Sequence, residues 1–319
     1  MTKILVCDRY SQEALSYLQS QIECEMSRSV GRIPTEKEIH EAEVLLIRSR
    51  SVLEAPLLKS AKNLKLILSA TSGFDHIDLK TCEEMGIKVM HTPQANVHSA
   101  AELTLTHMLV TSRKAIEAHE AVINYRWKDD LPRGVELSGK TVGIIGLGRV
   151  GTRVAQLAQV FGCEVVACDP YVEPEKMKQL GVEPMGMNEL LRSVDILTLH
   201  TPLTDETRGM INRKTLELMP ESAILINVSR GALVVEQDLV DALNAGRLAA
   251  AGLDVFAKEP PAKESPILKC KTAVLTPHVG AYTEESFKKA GMEAAEKVVA
   301  FIKENRLSDD LPPHVGWYR

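Results

Sequence analysis

Three residues of this chain are of types that can move a proton and grip an acid, and each stands just beyond an apolar run. Arg230 follows AILINV in NVSRGALV, Glu259 follows AAAGLDV in LDVFAKEPP, and His278 follows AVLT in LTPHVGAYT. A histidine titrates near neutrality, so one imidazole can act as base in one direction and as acid in the other. A carboxylate on its second ring nitrogen sets the tautomer and favours the protonated form. A planar guanidinium can hold a carboxylate through two hydrogen bonds and polarise a neighbouring carbonyl. The set suits oxidation of a 2-hydroxy acid, in which the hydroxyl proton goes to a base while the C2 hydrogen leaves as hydride. Taken singly the residues read otherwise: Arg230 as a surface arginine, Glu259 as a solvated loop acid, His278 as a space-filling ring. Metal binding would need more ligands beside His278, and no motif such as HExxH occurs, so no metal is expected.

A hydride needs an acceptor, and TVGIIGLGRVG supplies a place for one. Gly146, Gly148 and Gly151 form G-x-G-x-x-G after a strand-like run and ahead of a helical one. The first glycine permits a tight turn, the second lets amides approach a pyrophosphate, and the third lets helix and strand close up. Asp169 ends the next strand run, EVVACD, where a carboxylate would meet an adenosine ribose and repel a 2'-phosphate. NAD is therefore the expected cofactor. The alternatives are a generic glycine turn or a domain for another nucleotide. A second turn, in SATSGFDHIDL, places Ser72 and Gly73 after LKLIL, where small residues let amides approach a carboxylate; a tight turn without a ligand is the other reading.

The elements that must position these residues alternate along the chain. ILVCD, VLLIR, LKLIL and IKVM, separated by helix-like stretches, argue for parallel βαβ units in the first hundred residues. After HTPQANVHSAAE, where Ser99 and Glu102 have capping-box spacing for a long helix, a second alternation begins: TVGIIG, EVVACD, DILTLH, AILINV, AAAGLDV and AVLTPH. A last helix is predicted from near Thr283, with Glu284 and Glu285 in its first turn. The fold class expected is α/β with two domains. The 319 residues, 45% hydrophobic and 25% charged, leave room for two cores. A net charge of -5 and a pI near 6.0 offer no positive field for nucleic acid or anionic membrane. The first residues lack the pattern of a secretion signal and no segment is long and apolar enough for a membrane span. Six cysteines without a CxxC pair read as reduced thiols, and a cytoplasmic location is expected.

GLGRVG, LHTPLTDETRGMIN, NVSRGALV, GLDVFAKEP and TPHVGAYT, in this order, resemble the NAD-dependent D-2-hydroxyacid dehydrogenases, over nearly the entire chain. The resemblance implies Arg230 on the substrate carboxylate, His278 as acid and base, and Glu259 as its partner. It implies cofactor contacts from Arg149, Val150, Thr201, Thr207, Val228, Asp254 and Gly280, and carboxylate binding by Ser72 and Gly73. It also implies two doubly wound parallel-sheet domains: a Rossmann dinucleotide domain over 98–284, inserted into a flavodoxin-like substrate domain made of 1–97 and 285–319. A homodimer joined through the dinucleotide domains is expected.

Within the family, IRSRS, with Arg48 and Ser49, is similar to the phosphate-facing part of the D-3-phosphoglycerate dehydrogenases, so D-3-phosphoglycerate is the expected substrate and Arg48 a substrate residue. Two positions depart from that pattern. The arginine that commonly opens the SATSGFD segment is Ser69, and the one after the tryptophan of YRWKDD is Asp129; Arg50, Arg126 and Arg133 are candidates to substitute. Glyoxylate or hydroxypyruvate reduction is the alternative. Formate-oxidising relatives pair the histidine with glutamine, and this chain has Glu259. A reading from another class is an NAD(H)-sensing corepressor on the same scaffold. The chain ends at Arg319, so serine feedback through an appended regulatory domain is not expected.

Overall fold

The structure, a computed structural model, describes residues 1–312; the end of the expected 285–319 segment lies outside the described residues. The strands in chain order are β1 (Thr2–Val6), β2 (Cys24–Arg28), β3 (Val44–Ile47), β4 (Leu66–Ser69), β5 (Lys88–His91), β6 (Thr141–Ile145), β7 (Glu164–Cys168), β8 (Glu183–Pro184), β9 (Ile196–Leu199), β10 (Ile224–Asn227), β11 (Ala250–Leu253), β12 (Ala273–Leu275) and β13 (Asp310–Leu311). They fall into two compact units. Among the described residues, one comprises Met1–Asn96 and 281–312, the other Val97–Gly280.

Strands β3, β4, β9, β10 and β11 are buried at every position. Such continuous apolar runs are what a parallel sheet covered by helices on both faces demands. The first unit has the order β13-β5-β4-β3-β1-β2, the flavodoxin-like arrangement with one added edge strand. The two-residue edge strand β13 runs antiparallel to β5, beside an otherwise parallel sheet of the expected kind. The chain reaches it from the helix Glu284–Glu304 through left-handed turns at Asn305 and Asp309 and needs no crossover helix. Thr283 caps that helix by accepting from the Ser286 amide at 3.1 Å. Its buried Ala290, Ala294 and Val298 share a core with Ala14, Leu15 and Leu18 of the helix Gln12–Gln21.

The second unit has the order β12-β11-β10-β9-β6-β7-β8. The order reverses between β6 and β9, and ligands of open α/β sheets gather beyond the carboxyl ends of strands at such a point. One face is covered by the helices Val97–Arg113 and Arg149–Val160, the other by Met187–Ser193 and Glu236–Asn244. The expected capping box at Ser99 does not form. The helix begins at Val97 and carries Ser99 buried in its first turn beside Ala100 and Ala101, so packing of that face outweighs the cap preference. Three strands escaped the sequence pattern. CEMSR in β2 is a polar, mostly exposed edge, and β8 and β13 have two residues each, too short for any periodicity.

Candidate active site

Beyond β6 the chain turns through Gly146 at φ +91°, a left-handed conformation that suits glycine. A Cβ there would stand 2.8 Å from the His200 carbonyl, and one on Gly151 would stand 2.1 Å from the Gly146 oxygen. Around Gly148 the situation is reversed, since a Cβ would meet nothing within 4 Å. Gly148 is the N-cap of the helix Arg149–Val160, which has no side-chain cap. Its first-turn amides, Arg149 leading, stand at the positive end of the helix beside open space, where a phosphate is taken up. Val150 is partly buried and packs its side chain against the core. Asp169 accepts from the Leu147 amide at 2.7 Å and from the Tyr171 amide at 2.9 Å. The carboxylate is thereby tied to the glycine loop and keeps lone pairs for a ribose hydroxyl. These residues fit a dinucleotide. Thr207 is bonded within its own loop: its hydroxyl donates to the Pro202 carbonyl and accepts from the Thr204 amide, both at 2.8 Å. The Thr201 carbonyl accepts from the Ser229 hydroxyl at 2.7 Å.

Neighbouring strands β10, β11 and β12 deliver the three candidate catalytic residues. The Arg230 carbonyl accepts from Asn227 Nδ2, and Arg230 Nη1 donates to the Ser229 carbonyl, both at 2.8 Å. Glu259 accepts from the Phe256 amide at 3.1 Å through Oε1, and its Oε2 lies 2.6 Å from His278 Nδ1. The two side chains are 36% and 46% exposed, open enough to meet a ligand. The hydrogen bond from Glu259, helped by its charge and that of Asp254, raises the His278 pKa against the opposing effects of burial and Arg230. For Glu259 burial pushes the pKa up, but the His278 hydrogen bond, the Phe256 amide and the charges of His278 and Arg230 together leave it below its ordinary value. With Nδ1 on Glu259, Nε2 is the nitrogen that can exchange a proton with a ligand. A cavity of about 350 Å³, walled by Phe256, Pro260, Pro261, Leu268 and Leu275, borders the pair.

His278 has φ +54°, a strained conformation for a side-chain-bearing residue that persists only where surrounding bonds enforce it. Asp254, fully buried, does so. Its Oδ1 accepts from the Thr276 hydroxyl at 2.6 Å and the Val279 amide at 2.8 Å, its Oδ2 from the Gly280 amide at 2.8 Å, and its carbonyl from the His278 amide at 2.8 Å. A Cβ on Gly280 would lie 3.1 Å from Val228 Cγ1 and 3.2 Å from Asp254 Oδ2, so these three expected cofactor residues are neighbours. Thr276 spends its proton on Asp254, so His107 Nε2, 2.9 Å away, must be the donor to it. Burial lowers the His107 pKa and keeps this ring neutral. Sequence reasoning passed over both. Thr276 had a signal in its place two residues before His278; His107 had none.

In the first unit Ser72 and Gly73 lie in the turn after β4, and their amides meet no acceptor among the described residues. Ser69, which takes the place of the resemblance's arginine, is fully buried and bonded within the turn, 2.6 Å from Thr71 Oγ1 and 3.0 Å from His76 Nε2. Arg48 follows β3. Its guanidinium lies 5.0 Å from the Phe287 ring centroid, and Nη1 is buried without an acceptor among the described residues.

Residues 105–280 match the family model described as D-isomer specific 2-hydroxyacid dehydrogenase, NAD binding domain. The chain is 38% identical over 302 residues to D-3-phosphoglycerate dehydrogenase of Archaeoglobus fulgidus, covering 94% of this chain and 57% of that protein. It is 37% identical over 299 residues to hydroxypyruvate reductase of Thermotoga maritima, covering 93% and 97%. The chain thus spans little more than half the length of that phosphoglycerate relative. A crystal structure of D-lactate dehydrogenase from Aquifex aeolicus, complexed with NAD and lactic acid, aligns with a TM-score of 0.84 at 31% identity, covering 94% of this chain and 95% of that one.

Proposed function

The chain belongs to the D-isomer specific 2-hydroxyacid dehydrogenases, and on that premise we propose that it interconverts a small D-2-hydroxy acid and its 2-oxo acid, with D-3-phosphoglycerate as the substrate. The observation that carries this reading is the His278–Glu259 pair, 2.6 Å apart at the end of β12, with the Arg230 charge acting on both. NAD, when bound, supplies the hydride acceptor. The chain's own residues do the rest. His278 Nε2 takes the hydroxyl proton in oxidation and returns it in reduction, while Glu259 stabilises the imidazolium between the two. Arg230 grips the acid and polarises the 2-oxo group. The open amides of Ser72 and Gly73 take a carboxylate. The amides after Gly148 take the pyrophosphate, and Asp169 favours NAD over its 2'-phosphorylated form.

The buried, unpartnered Nη1 of Arg48 supports a second anionic group on the substrate, as in a phosphate ester. A second reading, hydroxypyruvate reduction, is favoured by Ser69, whose neutral side chain is committed inside its own turn. Steady-state assays of NADH oxidation with 3-phosphohydroxypyruvate, hydroxypyruvate and glyoxylate decide between them. The phosphorylated acid is expected to have a kcat/KM at least about tenfold above the others, the scale of one charge-assisted contact. Equal or reversed ranking selects the second reading, and no turnover with any acid removes both.

We also propose a homodimer joined through the second unit and located in the cytoplasm. Support for the dimer comes from Ile116, Val122, Ile123, Tyr125, Trp127 and Val135, large apolar side chains exposed within one short segment. For the compartment, support comes from six free cysteines. No helix among the described residues is long and apolar enough to cross a membrane.

A further inference from the structure

We infer that His91 is the positioning residue that aims the anion-binding amides of the Ser72–Gly73 turn; the inference rests on the reading of that turn as the substrate's carboxylate site. Three consecutive carbonyls of the turn are fastened inward. Thr71 O accepts from the Thr92 amide at 3.1 Å, Ser72 O from His91 Nδ1 at 2.8 Å, and Gly73 O from Thr71 Oγ1 at 2.7 Å. In a trans peptide the carbonyl and the next N–H point in opposite directions. Fastening Thr71 O therefore turns the Ser72 N–H outward, and fastening Ser72 O turns the Gly73 N–H outward. The result is a pair of adjacent donors of the kind that receives a carboxylate. The fastener of Ser72 O is the one side chain among the three that comes from outside the turn.

His91 is itself held on two sides. Its ring stands edge-on to Phe74, with centroids 5.7 Å apart and planes at 81°. Its carbonyl accepts from Lys297 Nζ. That ammonium, only 9% exposed, also donates to Glu293 at 2.7 Å and Asp309 at 2.9 Å. The buried lysine thus pins the end of β5, and β5 presents the imidazole to the turn. A carbonyl can only accept, so Nδ1 carries the hydrogen, as it does in one neutral tautomer and in the imidazolium alike. The aiming of Gly73 does not depend on the charge of His91.

His91→Phe keeps a ring against Phe74 and removes the donor. It is expected to raise KM for hydroxypyruvate about tenfold, the scale of one misdirected hydrogen bond to a charged group. The kcat and the NADH dissociation constant should stay within about twofold, since uniform binding is what has been removed. In His91→Asn the side-chain Nδ2 stands as far along the chain as Nδ1 does, so KM should return to within about threefold of the parent. An unchanged KM in His91→Phe overturns the inference. So does a common loss of KM, kcat, NADH affinity and thermal stability, or an asparagine variant no better than phenylalanine. If the parent enzyme turns over no acid, the dehydrogenase reading fails, and amide resonances decide the role of His91 without turnover. Hydroxypyruvate should shift the Ser72 and Gly73 signals in the parent and shift them far less in His91→Phe; no shift in the parent, or equal shifts in both, sinks it.

Discussion

In the second unit the groups proposed to act on the substrate are charged side chains set beside one another: His278 is tied to Glu259, with Arg230 close enough to bias both. In the first unit the turn after β4 offers backbone amides, held by bonds from hydroxyls, a backbone amide and two imidazoles. Thr71 donates to Gly73 O, which obliges Ser69 to donate to Thr71 and His76 Nε2 to donate to Ser69. Both arrangements stand where strands end, but they use the local field differently. The charged pair changes protonation, as a proton-transfer site must. The Thr71 hydroxyl that donates to Gly73 O does not titrate. On the proposed reading, proton transfer falls to a charged side-chain pair, and anion recognition is shared between the Arg230 guanidinium and backbone amides.

The contrast can be broken by experiment. Removing the imidazole should have the largest effect: His278→Ala is expected to lower kcat about 10²–10⁴-fold, with NADH affinity, read by fluorescence titration, within a few-fold. Equal losses in both would make His278 structural and the two regions alike. Next comes Glu259→Gln, expected to cost about tenfold to a hundredfold in reductive kcat/KM at neutral pH, the scale of one charged hydrogen bond. Its pH signature is more telling. Reduction needs the imidazolium, whose pKa Glu259 raises, so the parent's reductive rate persists above the ordinary histidine range and falls as pH rises through the raised value. Oxidation, needing the neutral ring, climbs over the same interval. Both limbs should move to lower pH in Glu259→Gln, and profiles that stay in place would remove Glu259 from that role. The smallest effect is expected in the other region. Thr71→Val keeps the shape and removes the donor to Gly73 O, and KM for the acid should rise about twofold to tenfold with an unaltered pH profile. A profile that shifts would show that the turn is electrostatically coupled after all.

Much of the second unit was legible before any coordinates. Gly146, Gly148 and Gly151 sit in a spacing whose physical demands are local, and Arg230, Glu259 and His278 each follow an apolar run long enough to read as a strand. The first unit's site was legible only as small residues after LKLIL. Ser69 looked like the loss of a cation; it is a buried hydroxyl in a relay. The hydroxyl of Thr207 also closes its own loop, which its spacing did not announce. The box at Ser99 followed a sound local rule that burial overrode.

From its residues alone, then, this chain was bound to form two α/β units with a glycine-rich turn in the second and Arg230, Glu259 and His278 beyond its strands, because hydrophobic period, glycine placement and residue type act over a few positions. What only the tertiary structure decided is which groups hold those residues in their working positions. His107 reaches Thr276 across 169 positions, and Lys297 reaches His91 across 206. Contacts of that kind leave no periodic trace, since a hydrogen bond depends on distance in space and on which proton is already spent.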